Sequence, residues 1–441
     1  MDHTPENQLH DLLKAAQCAG ADAVQAVADQ SESTSVAVRH GKLETVQRQE
    51  ADSWTLQVWV GARSASLSAI DLGNKAARDD LVARTLVMAR AASEDPYSGL
   101  APADLVCSAS REAEFALDLN DPTEFSAADL ERSARDSEAA ALAIAGVTNS
   151  EGGRAAGWRT RGWQVTSEGL VNYWQRSAFN VGATVVAGRD KMEVDGFGRS
   201  ARWRADLPCA ESIGAEAGRR AVAKIGARKL ASTRAPVIFE RRLAINLLEP
   251  LLNAISGGSI ARGTSFLKHR LGEPVFASNV RIFDDPTVVR GQGSRVVDGE
   301  GVLTPKRAIV DNGVLSTWLL DVSSARQLGL TPNGYGRAGT SNLSLLPGSE
   351  SLDDLMRQAG SGLLVTGMFG PSLNMATGDW SAGVYGIWFE RGEPAFPVSE
   401  ITVAGSLPEF YARMVPASDL EVQGAANAPS LLVDDVAIAG S

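Results

Sequence analysis

The chain has 441 residues, too many for one core, so two or three domains are expected. Hydrophobic content of 44% with 22% charged residues is ordinary for a globular protein, and no apolar run approaches the roughly 20 residues that a membrane span needs. A formal net charge of -11 opposes duplex binding, which rests mainly on phosphate neutralisation by Lys and Arg.

The N-terminus is acidic and polar, without a signal-peptide core. Cys18, Cys107 and Cys209 form no Cys-x-x-Cys pair, and a reducing cytoplasm is the expected compartment. Leu9, Leu12, Leu13 and Ala16 predict a first helix. Strand-like runs follow over Ala23–Gln30, Thr34–Arg39 and Leu43–Arg48, the last two joined at His40-Gly41-Lys42. Trp54–Val60 and Arg63–Ile70 make a second hairpin, and Asp80–Ala92 a helix. Ala127–Ala145 is helical, Asn149–Gly153 reads as a turn, Gln164–Thr166 and Asn180–Ala187 alternate as strands, and Glu211–Leu230 reads as a long helix. Helix, hairpins, helix thus occurs twice, at roughly 1–95 and 125–231, without a residue-level repeat.

Pro236–Phe239 reads as a buried strand and Arg241–Ile255 as a buried helix, with Leu247, Leu248, Leu251, Leu252 and Ile255 at helical spacing. Ser256-Gly257-Gly258 is expected to close it, and Pro250 to kink or start it. Beyond lie short strands, one helix at Leu352–Gln358, and turns at Asp284-Asp285-Pro286, Asp298–Gly301, Asp311-Asn312-Gly313 and Glu390-Arg391-Gly392; Asn312-Gly313 is the clearest hairpin signal. The expected fold class is α+β. An N-terminal α/β part with antiparallel sheets and helices (residues 1–233, with subsegments 1–100 and 120–233) precedes a β-rich, barrel- or sandwich-like C-terminal domain (234–441).

Several words of this half resemble the TldD/PmbA family, once described as modulators of DNA gyrase. They are Ala261-Arg262-Gly263-Thr264-Ser265, Asp311-Asn312-Gly313-Val314-Leu315, Gly362-Leu363-Leu364-Val365-Thr366, Thr377-Gly378-Asp379 and Pro397 to Gly405. The match is closest to the PmbA or TldE type. In TldD-type chains the helix before the Arg-Gly-Thr-Ser word carries His-Glu-x-x-x-His, two zinc ligands around a general base, and a Cys near the C-terminus is the third ligand. Counting back without a gap puts Leu248, Glu249 and Asn253 at those positions. The resemblance therefore implies a metal-free, non-catalytic subunit of a heterodimeric metalloprotease. Zinc is expected in a TldD-like partner, and peptide precursors or unfolded polypeptides as substrates. It also implies a peptide cleft touching Arg262, Gly263, Thr264, Ser265, Gly378 and Asp379. Two other readings stay open: a homodimeric peptide-binding scaffold, and an independent hydrolase with an unrecognised site. No direct nucleic-acid or membrane partner is expected.

The residues point the same way. Zinc needs three or four converging His, Cys or carboxylate ligands. The histidines are His3, His10, His40 and His269, none spaced as a helical pair, and no Cys follows Cys209. Without a metal nothing lowers the pKa of a water beside Glu249, so it reads as a polar-edge glutamate and Asn253 as a residue bonding locally near the helix end. Gly334-Tyr335-Gly336-Arg337-Ala338-Gly339 spells Gly-x-Gly-x-x-Gly, but neither a strand before nor a helix after it is expected, which argues against dinucleotide binding. The basic stretch from Arg219 to Arg242, through Arg220, Lys224, Arg228, Lys229, Arg234 and Arg241, reads as a solvated helix face, and Trp158, Trp163, Trp174 and Trp203 as strand or interface packing.

Overall fold

Thr4 caps the first helix by accepting the Asn7 N–H, and Pro5 sits where a missing donor costs nothing. This helix, α1 (Pro5–Cys18), lays Leu9, Leu12, Leu13 and Ala16 into the core beside β1 (Ala23–Arg39), β2 (Lys42–Val60), β3 (Arg63–Ala69) and α2 (Lys75–Ala91). After a short α3 (Arg111–Ala116) the same order returns: α4 (Ala127–Leu142), β4 (Val147–Thr166), β5 (Val171–Ala187), β6 (Glu193–Ala201) and α5 (Ala210–Val222). The six strands form one antiparallel sheet, β3-β2-β1-β4-β5-β6. The two predicted units are thus the two halves of a single sheet, with the first strand of each meeting at the centre. The structure, a computed structural model, describes residues 4–336 and 339–440.

Several boundaries differ from expectation. Ala23–Gln30 and Thr34–Arg39 are one strand, because Ser31, Glu32 and Ser33 between them find ladder partners on both β2 and β4. Leu43–Arg48 and Trp54–Val60 likewise merge into β2. Asn149–Gly153 is a bulged part of β4 rather than a turn, with Gly152 at φ 115. The helix expected over Glu211–Leu230 stops at Val222, and Gly226 turns the chain at φ 78. Two glycines set how closely these layers approach. A Cβ on Gly153 would meet the Ala134 carbonyl of α4 at 2.0 Å, and one on Gly214 the Ser137 carbonyl at 1.8 Å.

The second half runs β7 (Thr233–Phe239), α6 (Arg241–Ala254), α7 (Gly257–Ala261), β8 (Ile282–Asp284), β9 (Arg307–Asp311), β10 (Val314–Leu315) and α8 (Val322–Leu328). It continues with β11 (Leu343–Leu345), α9 (Leu352–Ala359), β12 (Gly362–Leu373), β13 (Asp379–Glu390), β14 (Glu393–Ser406), α10 (Leu407–Arg413), β15 (Val415–Pro416), β16 (Ala426–Asn427) and β17 (Leu431–Ala439). Strands β14-β13-β12-β7-β17 are consecutive neighbours, and β17 pairs back onto β14. The sheet is therefore closed, which settles barrel over sandwich and protects its edges. A five-stranded sheet, β10-β9-β8-β11-β16, accompanies it. The predicted hairpin turns form as expected, with Asn312 and Gly313 at φ 48 and 82 and Arg391 and Gly392 at φ 54 and 76.

Helix α6 buries Ala244, Leu247, Leu248, Leu251 and Ala254 in the same core as Val237, Phe239, Leu363, Val365 and Leu431 of the barrel. Pro250 stays inside it. Ser256-Gly257-Gly258 does not close α6 with a left-handed glycine. Ser256 instead caps α7, accepting the Ser259 N–H, because the chain turns straight into a second helix. Sheet and barrel are tied by the Gln164 side-chain amide donating to Gly299 O at 3.0 Å and by Arg290, which reaches Asp118 at 2.7 Å and Asp206 at 3.1 Å.

Candidate functional site

Helix α6 presents two faces. Leu248 lies fully in the core, whereas Glu249 and Asn253, one turn apart, lie on the exposed face. Neither exposed side chain makes a hydrogen bond or ion pair among the described residues. The local bonding at this helix end is made by the Asn253 carbonyl, which accepts from the Ser256 hydroxyl at 2.9 Å, and not by the Asn253 side chain as expected. Among the described residues no three His, Cys, Asp or Glu side chains gather as a metal site requires. His40 and His269 are exposed and far apart in the chain, His3 lies outside the described residues, and the 419–430 segment supplies only oxygen and amide groups. An apolar Leu248 turned into the core and an amide at Asn253 do not fit a zinc ion.

The remaining cleft candidates do come together. The Phe266 N–H, directly after Arg262-Gly263-Thr264-Ser265, donates to Met375 O at 2.9 Å in the turn that carries Gly378 and Asp379. Arg262, Gly263, Thr264 and Asp379 are exposed, while Ser265 is buried and accepts from Leu267 N–H. Thr377 donates to the Asp379 carboxylate at 2.6 Å, and Gly378 packs on Pro408 and Phe266.

The N-terminal turns of α6 open onto a cavity of about 550 Å³. Its walls come from β4, β5 and β6 of the first half, from Arg241, Arg242 and Ile245 of α6, and from the 421–428 segment. Five arginines line it (Arg154, Arg199, Arg220, Arg241 and Arg242) against one carboxylate, Glu421. Glu421 accepts from Arg199 at 3.1 Å and Arg241 at 2.6 Å. Arg242 turns to Glu240 at 2.6 Å and Arg220 to Asp195 at 3.3 Å, while Arg154 is exposed and has no ion-pair partner among the described residues. Burial, with Arg241 and Arg242 nearby, holds the Arg199 guanidinium below the usual arginine range, although Glu421 opposes this. Asn427 shapes the outer wall by accepting the N–H groups of Gln423 and Gly424 at 2.7 and 3.0 Å.

A second cavity of about 380 Å³ shares Arg220 and Arg242 and is walled by Phe369, Tyr385, Ile387 and Pro397. Here the basic stretch departs from its expected role. Arg220 and Lys224 are mostly buried at the sheet–barrel seam, where Lys224 bonds Asp195 at 3.1 Å and sits 3.8 Å from the centre of the Tyr385 ring. Lys229, Arg234 and Arg241 pair with Glu400, Asp435 and Glu421. Three of the tryptophans pack as expected: Trp163 lies against Tyr173, Trp174 covers Gly162 across the β4–β5 ladder, and Trp203 donates to Asp118 O at 2.8 Å, whereas Trp158 is exposed. The Gly334–Gly339 segment has neither strand nor helix at its described ends, and the Asp298 carboxylate takes the Gly336 N–H at 2.8 Å; Arg337 and Ala338 lie outside the described residues.

The arginine cavity escaped the sequence because its walls are drawn from positions between 152 and 428, and only Arg220, Arg241 and Arg242 of its five arginines fall in the basic stretch. The sequence pattern of the PmbA/TldA metallopeptidase C-terminal domain matches residues 232–440, and that of the central domain 117–225. Metalloprotease PmbA of Escherichia coli O157:H7 is 33% identical, over 95% of this chain and 92% of that protein. A Haemophilus influenzae protein named as a metalloprotease PmbA homolog is 32% identical, over 96% and 93%. Among solved structures, a Bacteroides thetaiotaomicron protein described as a modulator of DNA gyrase superposes with a TM-score of 0.92 at 24% identity, covering 99% of this chain and 100% of that one. TldE from Thermococcus kodakarensis gives 0.83 at 18%, covering 99% of each. These two likenesses carry the fold.

Proposed function

The chain belongs to the PmbA/TldD metallopeptidase family, and from that premise we propose that it is the non-catalytic subunit of a heterodimeric metalloprotease. In this reading a TldD-like partner holds the zinc and this chain completes the enclosure around a peptide or unfolded polypeptide. The observation that carries it is the donor set of α6, with Leu248 in the core and Asn253 in place of histidines. Substrate lies as an added strand, held by backbone bonds rather than a fixed side-chain code.

The test is zinc content and peptidase activity of the chain alone and after co-expression with a TldD-like chain from the same organism. Expected are no zinc and no turnover alone, and about one zinc per heterodimer with activity together. Glu249→Gln in that complex is expected to leave activity within about twofold, since no metal here polarises a water for Glu249. Stoichiometric zinc with turnover in the lone chain would overturn the proposal. A second reading, a homodimeric peptide-binding scaffold, is favoured by an open cavity that this chain lines by itself. A lone chain that binds peptides and never associates with the zinc-bearing homologue would select it.

A further inference from the structure

The molecule carries a net charge of -11, yet the wall of its larger cavity holds five arginines and one glutamate. Even counting Glu240 and Asp195 behind that wall, the five guanidinium groups meet three carboxylates, and Lys224 competes for one of these. Arg154 has no ion-pair partner among the described residues. Two further donors at this wall, Arg241 Nε and Gln423 Nε2, lack acceptors. Glu240 Oε2, paired with Arg242, is the one acceptor among the unbonded buried atoms here, so the unmet requirements are mostly for acceptors. Guanidinium forks match carboxylates two bonds at a time.

The adjoining smaller cavity narrows the ligand. It shares Arg220 and Arg242 with the first; Phe369, Tyr385, Ile387 and Pro397 form its apolar wall, and Glu193, Asp195 and Glu216 also line it, which disfavours a second acidic group there. An inorganic anion would use only the first cavity. A peptide with a carboxylate beside a bulky apolar side chain would fill both.

We propose that the arginine-lined cavity between β4–β6, α6 and the 421–428 segment seats a peptide carboxylate, with the neighbouring apolar residue in the Phe369–Tyr385 cavity. This rests on the reading of the chain as a peptide-holding subunit. The carboxylate comes either from a C-terminus or from an Asp or Glu side chain, since both present the same two oxygens.

The experiment measures fluorescence anisotropy on the purified full chain with labelled octapeptides containing a Phe-Asp pair. One set carries Asp or Asn at that position, and each is made with a free or an amidated C-terminus. The expected result is binding at least tenfold tighter for a carboxylate-bearing peptide than for the doubly neutral one, weakening from 50 to 300 mM salt as about one screened charge contact predicts. The arm that loses affinity, Asn or amide, identifies the source. Arg154→Gln with Arg241→Gln is expected to remove that tenfold preference while changing neutral-peptide binding less than about twofold. Equal binding of acidic and neutral peptides overturns the proposal, as does a folded double variant, with an unchanged melting temperature, that keeps the preference. The assay uses the lone chain. Loss of the charge preference would leave the partner-subunit reading standing, and failure to form an active heterodimer would leave the carboxylate site standing.

Discussion

Glu138 holds the turn of the first long hairpin from the opposite half of the sheet. Its buried carboxylate accepts the N–H groups of His40 and Gly41, both at 2.8 Å, and the Ser150 hydroxyl. Burial alone would raise its pKa. The bonds from Ser150, Gly41 and His40 outweigh that and hold it below the ordinary 4.5. A depressed folded-state pKa means stability that is present above the unfolded value and lost as pH falls through the folded one. The native protein is therefore expected to lose stability on acidification below about pH 4.5. Glu138→Gln should lack that component and cost about 1–3 kcal/mol at neutral pH, because two backbone N–H groups and the buried Ser150 hydroxyl lose a charged acceptor. Urea unfolding at pH 7 and pH 4 checks both, and an unchanged pH profile in the variant would refute the assignment. The arginines of the cavity illustrate the same scale differently. No neighbour in sequence announces Arg154 or Arg199, since their shared purpose depends on a wall that only folding builds.

Single elements were legible where local chemistry is strong. The apolar face of α6 follows from the spacing of Leu247, Leu248 and Leu251, and the β9–β10 turn from Asn312-Gly313. Gly313 combines φ 82 with a site where a Cβ would lie 2.6 Å from the Phe276 carbonyl. Gly313→Ala is thus expected to destabilise by about 1–3 kcal/mol, read as a lowered urea midpoint at unchanged slope. A cost under about 0.5 kcal/mol would mean that the turn relaxes. Elements were misjudged where partners decide. The polar residues Ser31–Ser33 look like a break, yet β2 and β4 flank them and keep them in the ladder. Ser256-Gly257-Gly258 looks like a helix stop, yet Ser256 starts α7.

Across the whole molecule the two halves share a seam. Asp195 of β6, Arg220 of α5 and Lys224 just beyond it meet Tyr385 of the barrel, whose hydroxyl lies 3.5 Å from Asp195. With Arg290 and Gln164 adding ties elsewhere, sheet and barrel are expected to unfold in one calorimetric transition. Lys224→Ala should lower that transition, because it leaves Asp195 short of a partner at a mostly buried site. Two resolved transitions in the native protein would show that the seam does not couple the halves. The same seam walls both cavities, so a ligand bridging them is expected to raise the transition temperature, and to keep raising it with the logarithm of ligand concentration above Kd.

The sequence alone determined what periodicity, turn chemistry and family words can carry: α+β content, a twice-repeated helix–hairpins–helix order, and a helix at the zinc-motif position that lacks histidines. Those signals are local, spanning a turn or a strand. Only the tertiary structure decided that the two repeats form one six-stranded sheet, that β17 closes the barrel onto β14, and that Arg154, Arg199, Arg220 and Arg242 face one cavity. Those facts depend on contacts between residues up to about two hundred positions apart. Such contacts are fixed by packing and strand pairing, and leave no periodic trace in the chain.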